Sequence, residues 1–205
     1  MTGPRTAATR PALAALGCLA LLAGCSTLPR STDLPTLDDW PQRVAVLGAL
    51  DDYGFSARIA VRDGDEGFNG SLRWEQRRDY FDVRVSGPLG AGTVLIAGDP
   101  GALEVTDDAG EVTALDDPER DLRERYGWRI PVGSLRYWAL GIPDPTSPAE
   151  TVVDEGGRLE RLAQGGWDVS IGQYREAGGR QMPRKLTATQ GESRVRLVID
   201  RWTFY

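Results

Sequence analysis

The most chemically committed residue in the sequence is Cys25, which closes the tetrapeptide Leu22-Ala23-Gly24-Cys25 at the end of a basic-then-apolar leader. Arg5 and Arg10 give the leader a positive start, residues 12–24 carry no charge, and the small Ala23 and Gly24 suit a peptidase cutting just before the cysteine. The pattern is a lipobox. It predicts that residues 1–24 are cut away and that the Cys25 thiol becomes a lipid attachment point. Acyl burial is worth roughly 0.8 kcal/mol per methylene, so a multiply acylated cysteine anchors durably where a single chain is marginal. The competing reading, a transmembrane helix over 12–24 with an incidental cysteine, requires about twenty apolar residues. That run is too short. Cys18 falls inside the leader, so the mature chain keeps one thiol and forms no internal disulfide. Ser26 follows the cysteine, where an acidic residue would signal inner-membrane retention in a proteobacterium. The expected address is therefore the periplasmic face of the outer membrane.

Other reactive chemistry is thinly provided. The chain has no histidine, which removes the His-dependent triads, the commonest general base and the commonest transition-metal ligand. Thirty carboxylates could still run a glycoside hydrolase. The tempting pairs are Asp107-Asp108 and Asp116-Asp117, but each adjoins a Gly or Pro turn signal, where acidic residues belong for conformational reasons. Removing residues 1–24 takes two of the 24 basic residues and none of the 30 acidic ones, leaving 22 against 30 and a net charge of −8. The only lysine is Lys185, beside Arg184. A nucleic-acid partner would need clustered cations and is not expected, nor is a metal or other cofactor.

The elements that must position any site are legible from periodicity. Residues 26–38 are rich in Pro, Ser, Thr and Asp without an apolar period and read as a flexible tether. A single domain is expected over 39–205. Trp40, Val44, Leu47 and Leu50 fall at helical spacing over 39–51, with Asp38 or Asp39 as the cap. Phe55, Ala57, Ile59 and Val61 then alternate with polar residues, as do Phe68 to Trp74 and Phe81 to Val85, so three strands form a meander. Thr93 to Ala97, Leu103 to Thr106 and Glu111 to Leu115 extend it. A charged helix opens at Pro118, and Leu135, Trp138 and Ala139 mark a second helix ending at Gly141. Beyond the extended connector 142–148, strands resume at 158–164, 167–174, 185–189 and 194–202. The sum is about ten antiparallel strands with helices inserted near the middle, a sheet long enough to curl toward a barrel with an apolar inner face.

Two outcomes fit such a sheet: its helices fill the inner surface solidly, or they lid a cavity. Trp74, Trp128, Trp138 and Trp167 are large enough to fill much of it. The loop Ser86-Gly87-Pro88-Leu89-Gly90-Ala91-Gly92 is more unusual, because it sets one bulky apolar side chain among residues that only shape a turn. Leu89 either projects as a hydrophobic probe able to enter a bilayer or folds inward as core. Spacing alone leaves both open.

From Trp40 to Trp202 the sequence resembles the LolB family of outer-membrane lipoproteins. The resemblance rests on Arg58-Ile59-Ala60-Val61, Gly87-Pro88-Leu89-Gly90, Gly127-Trp128-Arg129-Ile130-Pro131-Val132 with Leu135, Trp138 and Gly141, and Gly157-Arg158-Leu159 leading to Gly166-Trp167. Met182-Pro183 stands where Leu-Pro is common, and Ala57 where Gly often precedes the arginine. The resemblance implies an incomplete antiparallel β-barrel of about eleven strands, enclosing a hydrophobic cavity under a helical lid. It also implies a monomeric receptor that takes client lipoproteins from the periplasmic carrier LolA, holds their acyl chains and inserts them into the outer membrane without covalent catalysis. Leu89 would then assist membrane targeting and release. Candidate residues of the cavity and lid are Leu72, Trp74, Phe81, Val83, Trp128, Leu135 and Trp138. The rival readings are a LolA-like or other lipid-binding lipoprotein, against which Cys25 weighs for a diffusing carrier, and a carboxylate-dependent cell-wall hydrolase.

Overall fold

A computed structural model describes residues 37–88, 92–99, 101–127 and 129–205. Helix α1 (Trp40–Gly48) is opened by Asp39, whose carboxylate accepts from the Gln42 N–H at 3.2 Å, and by a proline in its first turn. Its fully buried residues are Arg43 and Leu47, one turn apart. The helix therefore turns a cation toward the core beside the expected apolar stripe.

Eleven strands follow: β1 (Asp52–Asp63), β2 (Glu66–Arg77), β3 (Tyr80–Ser86), β4 (Thr93–Asp99), β5 (Ala102–Thr106), β6 (Val112–Leu115), β7 (Ala149–Val153), β8 (Leu159–Gln164), β9 (Trp167–Ala177), β10 (Arg180–Gln190) and β11 (Ser193–Phe204). Helices α2 (Pro118–Tyr126) and α3 (Val132–Leu140) interrupt them between β6 and β7. All belong to one compact unit, Leu34–Tyr205. The strands form one open antiparallel sheet in the order β6-β5-β4-β3-β2-β1-β11-β10-β9-β8-β7. Two consecutive meanders are thus sealed through the pairing of the first strand with the last, and β6 and β7 are the free edges.

Alternation explains why these segments pair this way. On β1, Phe55, Ala57, Ile59 and Val61 are buried while Ser56, Arg58 and Arg62 are exposed, and the pattern repeats in register on β2, β3 and β11. A one-residue slip would put the whole apolar set in water. One irregularity is built in: Ser56 faces Arg201 but Ala57 faces Ile199, leaving Asp200 as an extra residue on β11 whose carboxylate meets Arg58 at 3.2 Å.

Three elements depart from the sequence expectations. Strand β7 follows the connector where no strand was assigned; every residue in it is exposed, so this edge strand shows no one-faced alternation. Strand β10 begins five residues earlier than expected, because Pro183 is accommodated at a register shift between Pro183 and Lys185. Helix α1 ends at Gly48 rather than continuing to residue 51.

Candidate functional site

The inward face of the sheet collects most of the candidate residues. On β2 and β3, Trp74 pairs with Val83 and Leu72 with Val85, and Phe81 lies opposite Gln76. Their rings form a row: Phe55 stacks on Trp74 at 5.7 Å and Trp74 on Phe81 at 5.1 Å between centroids, with Trp202 tilted against Phe55 at 5.0 Å. Such pairs add about 0.5–1.5 kcal/mol each beyond area burial. Gly98 of β4 faces Phe81, and a Cβ there would lie 2.0 Å from the Ala102 carbonyl, so only glycine lets β5 close up behind the ring.

Leu135 and Trp138 come from α3, which packs against β10 and the other half of the sheet. The Trp138 ring lies 6.3 Å from Trp167 of β9. The candidates therefore occupy one continuous buried cluster but two regions of it, an aromatic row on β2 and β3 and a tryptophan pair under α3. Leu72, Trp74, Phe81, Val83, Leu135 and Trp138 are at most 3% exposed. These side chains are closed off from solvent in this structure. An acyl chain can reach them only by displacing whatever covers them.

Buried polar groups fasten this apolar interior. Gln76 of β2 accepts from the Trp74 indole N–H at 3.0 Å and donates to the carbonyls of Arg78 and Tyr80. Gln164 does the same for the lid, accepting from the Trp138 indole N–H at 2.9 Å and tying down the connector. The buried Tyr53 hydroxyl donates to the Arg136 carbonyl at 2.9 Å, which joins β1 to α3, and burial pushes its pKa well above the ordinary phenol value. Arg43, 1% exposed, donates to the Gln181 carbonyl and lies 5.3 Å from the Tyr174 ring; burial lowers its pKa. Sequence reading missed Gln76, Gln164 and Arg43. The signal for the glutamines was present, since each is a polar residue on the apolar parity of its strand, two places from an inward Trp74 or Leu162.

The loop of interest is described at its neck. Ser86 and Thr93 share a hydroxyl hydrogen bond of 3.0 Å, and the Gly87 N–H donates to the Gly92 carbonyl at 3.1 Å. Pro88 is exposed. Leu89, Gly90, Trp128 and Cys25 lie outside the described residues. The acidic pairs do conformational work: Asp107 caps the β5–β6 turn through the N–H groups of Ala109 and Glu111, and Asp117 caps α2 through that of Arg120. Among the described residues, no three potential ligands gather into a metal-sized cluster.

A family model described as outer membrane lipoprotein LolB matches residues 51–202. The chain belongs to the LolB family. It is 37% identical to the outer-membrane lipoprotein LolB of Nitrosococcus oceani over 188 residues, which covers 90% of this chain and 92% of that one. Against LolB of Chromohalobacter salexigens the identity is 34%, covering 90% and 86%, and against LolB of Pseudomonas aeruginosa 34%, covering 92% and 93%. A solved LolA-superfamily protein from Nitrosomonas europaea superposes with a TM-score of 0.53 at 8% identity, covering 82% of this chain and 94% of that one. A DUF1329 family protein from Desulfovibrio piger gives 0.50 at 7% identity, covering 82% and 91%. These two likenesses concern the fold.

In this LolB-family chain the sequence motifs acquire physical roles. Gly157 has φ +65°, and a Cβ there would stand 2.4 Å from the Asp38 carbonyl oxygen, so glycine lets the β7–β8 turn close onto the chain entering α1. Arg158 pairs with Asp154 at 2.7 Å and lies 5.4 Å from the Tyr174 ring, which Arg43 also approaches, at 5.3 Å. Gly141 caps α3 with φ +79°, and a Cβ there would crowd Pro183 at 2.9 Å. Gly157 therefore fixes where α1 enters the fold, and Gly141 fixes how closely α3 approaches β10.

Proposed function

We propose that the chain is a monomeric receptor, anchored through lipid on Cys25 at the periplasmic face of the outer membrane, that accepts lipoproteins from LolA and inserts them into that membrane. The observation that carries this reading is membership of the LolB family over residues 51–202, joined to an open sheet whose inward face is mostly apolar. No covalent chemistry is needed. Acyl chains pass from carrier to receptor to bilayer down successive free-energy steps, each 1.4 kcal/mol giving tenfold in partition.

The closed interior gives this transfer a mechanical requirement. Of the proposed liners, which include Trp128, the described Leu72, Trp74, Phe81, Val83, Leu135 and Trp138 are buried and meet acyl chains only when the packing over them opens, which for Leu135 and Trp138 means α3 moving away from the sheet. Few polar contacts oppose that motion: the Tyr53 bond to the Arg136 carbonyl, the Trp138 bond to Gln164, and an ion pair of 3.6 Å between Arg136 and the exposed Asp79. A lid held this way returns binding energy on closing, so the client stays less tightly held than in the bilayer and leaves.

Depletion of the protein is the test. Clients should accumulate as complexes with the periplasmic carrier, and purified protein should restore their insertion. Normal insertion during depletion, or altered glycan products in place of stranded lipoproteins, would defeat the receptor reading.

A further inference from the structure

Arg62 of β1 and Arg194 of β11 are direct cross-strand partners on the outer face of the sheet, and Arg196 stands two residues along the same face, opposite Ala60. All three are exposed. Like charges directly opposed in an antiparallel ladder destabilise it, because their Cβ atoms are held about 4.5–5.5 Å apart. Two neighbouring arginines have carboxylate partners, Arg58 in Asp200 at 3.2 Å and Arg73 in Glu75 at 2.8 Å. Among the described residues, no carboxylate lies within ion-pair distance of Arg62, Arg194 or Arg196. Among the described residues, three adjacent guanidiniums are thus left without a carboxylate partner in a chain with more acidic than basic residues.

These residues and Asn69 line an open groove of about 510 Å³, bordered at the hairpin tip by Asp65 and Glu66. Its position is informative. Ser71 of β2 pairs with Ser86 at the end of β3, and a Cβ on the next residue, Gly70, would strike the Ser86 carbonyl and approach the Gly87 Cα at 3.6 Å. The chain at Gly87 thus lies beside Gly70, one residue along β2 from the Ala60–Asn69 pair in the groove. Guanidiniums offer a planar fork that binds phosphate oxygens bidentately. By sequence the adjoining loop sets Leu89 among glycine, proline and alanine, an apolar side chain that a bilayer accommodates.

We propose that Arg62, Arg194 and Arg196 bind the phosphates of anionic phospholipids, holding the outer face of β1 and β11 on the bilayer surface beside loop 87–92. The proposal rests on the receptor reading for the presence of a membrane, and it adds the surface and the headgroup that the membrane contact uses.

The test is sedimentation of the mature chain carrying Cys25→Ala, so that no acyl anchor contributes, with vesicles of phosphatidylcholine alone and of equal parts phosphatidylcholine and phosphatidylglycerol. The parent face should prefer the phosphatidylglycerol vesicles and lose that preference as salt shortens the screening length from about 10 Å at 0.1 M to about 3 Å at 1 M. Each of Arg62→Gln, Arg194→Gln and Arg196→Gln should cost roughly fivefold in partition. Arg161→Gln, exposed on β8, should leave it unchanged. Equal binding of the parent to both vesicle types overturns the proposal without any variant, and so does binding that survives all three substitutions in a folded protein. Loss of capture by immobilised carrier with vesicle binding intact assigns the face to a protein partner and overturns it equally. Client insertion by the parent protein is measured separately, so failure of the receptor reading is distinguishable from failure of this one.

Discussion

Trp138 and Gln164 are joined by a buried hydrogen bond of 2.9 Å that links the lid helix α3 to strand β8. The same glutamine oxygen accepts from the Asp144 N–H, while its amide nitrogen donates to the carbonyls of Asp144 and Ser147 at 2.7 and 2.8 Å. One side chain thus holds the helix, the proline-rich connector and the sheet in a single arrangement. Gln164→Leu keeps the volume but strands these partners away from water. It should destabilise the fold by about 2–4 kcal/mol, since each unpaired buried polar group costs about 1–3 kcal/mol, as measured by urea unfolding. A loss below 0.5 kcal/mol, small on the same scale, would show that the connector is held by other contacts.

How much of this was legible in the sequence depends on what alternation can report. It reports which side of a strand is buried, so β1, β2, β3 and β11 were readable from Phe55, Trp74, Phe81 and Leu197. It is silent for Ala149–Val153, which is exposed throughout and pairs along one edge with β8. It also names a face without naming what that face meets. Trp138 was readable as inward, but its approach to Trp167 and its bond to Gln164 follow from a chain reversal at Gly141 that no local pattern encodes. Polar residues on apolar parity, such as Gln76 and Gln164, break the pattern where the interior needs a hydrogen-bond hub.

The close approach of Gly157 to Asp38 makes a sharper local prediction. Gly157→Ala places a methyl group 2.4 Å from the Asp38 carbonyl oxygen in a left-handed backbone conformation. The cost should be about 1–3 kcal/mol, read as a lower thermal midpoint. Proteolysis near the start of α1 should quicken, because that backbone is what must give way. Wild-type cleavage there would mean that the turn, and not α1, absorbs the strain.

Acid should loosen the same turn. The Asp154 carboxylate accepts from the N–H groups of Gly156 and Arg158 and pairs with the Arg158 guanidinium at 2.7 Å. Burial tends to raise its pKa, but these hydrogen bonds and the adjacent charge outweigh burial and hold it below the usual carboxylate value. A lowered folded-state pKa stabilises the protein above the unfolded value of about 3.9 and loses that contribution as pH falls through the folded value. The stability gap between the parent and Asp154→Asn should therefore be constant above about pH 5 and shrink below about pH 4. A gap that instead narrows between pH 6 and 8, far above the ordinary carboxylate range, would assign the effect to another group.

Leu89 gives the test that separates uptake from release. The neck of its loop is closed by the Ser86–Thr93 hydroxyl bond and the Gly87–Gly92 backbone bond, contacts that do not involve Leu89. Leu89→Glu should leave the thermal midpoint and the transfer of clients from the carrier close to the parent's. If the leucine enters the bilayer, the substitution forfeits about 1.5–3 kcal/mol of burial, and insertion of clients should slow roughly ten- to hundredfold. Leu89→Phe, which preserves the apolar surface, should remain near the parent in both steps. Equal loss of uptake and insertion in Leu89→Glu would place the side chain inside the fold, and the membrane contact would then have to come from elsewhere on the surface, such as the proposed guanidiniums of Arg62, Arg194 and Arg196.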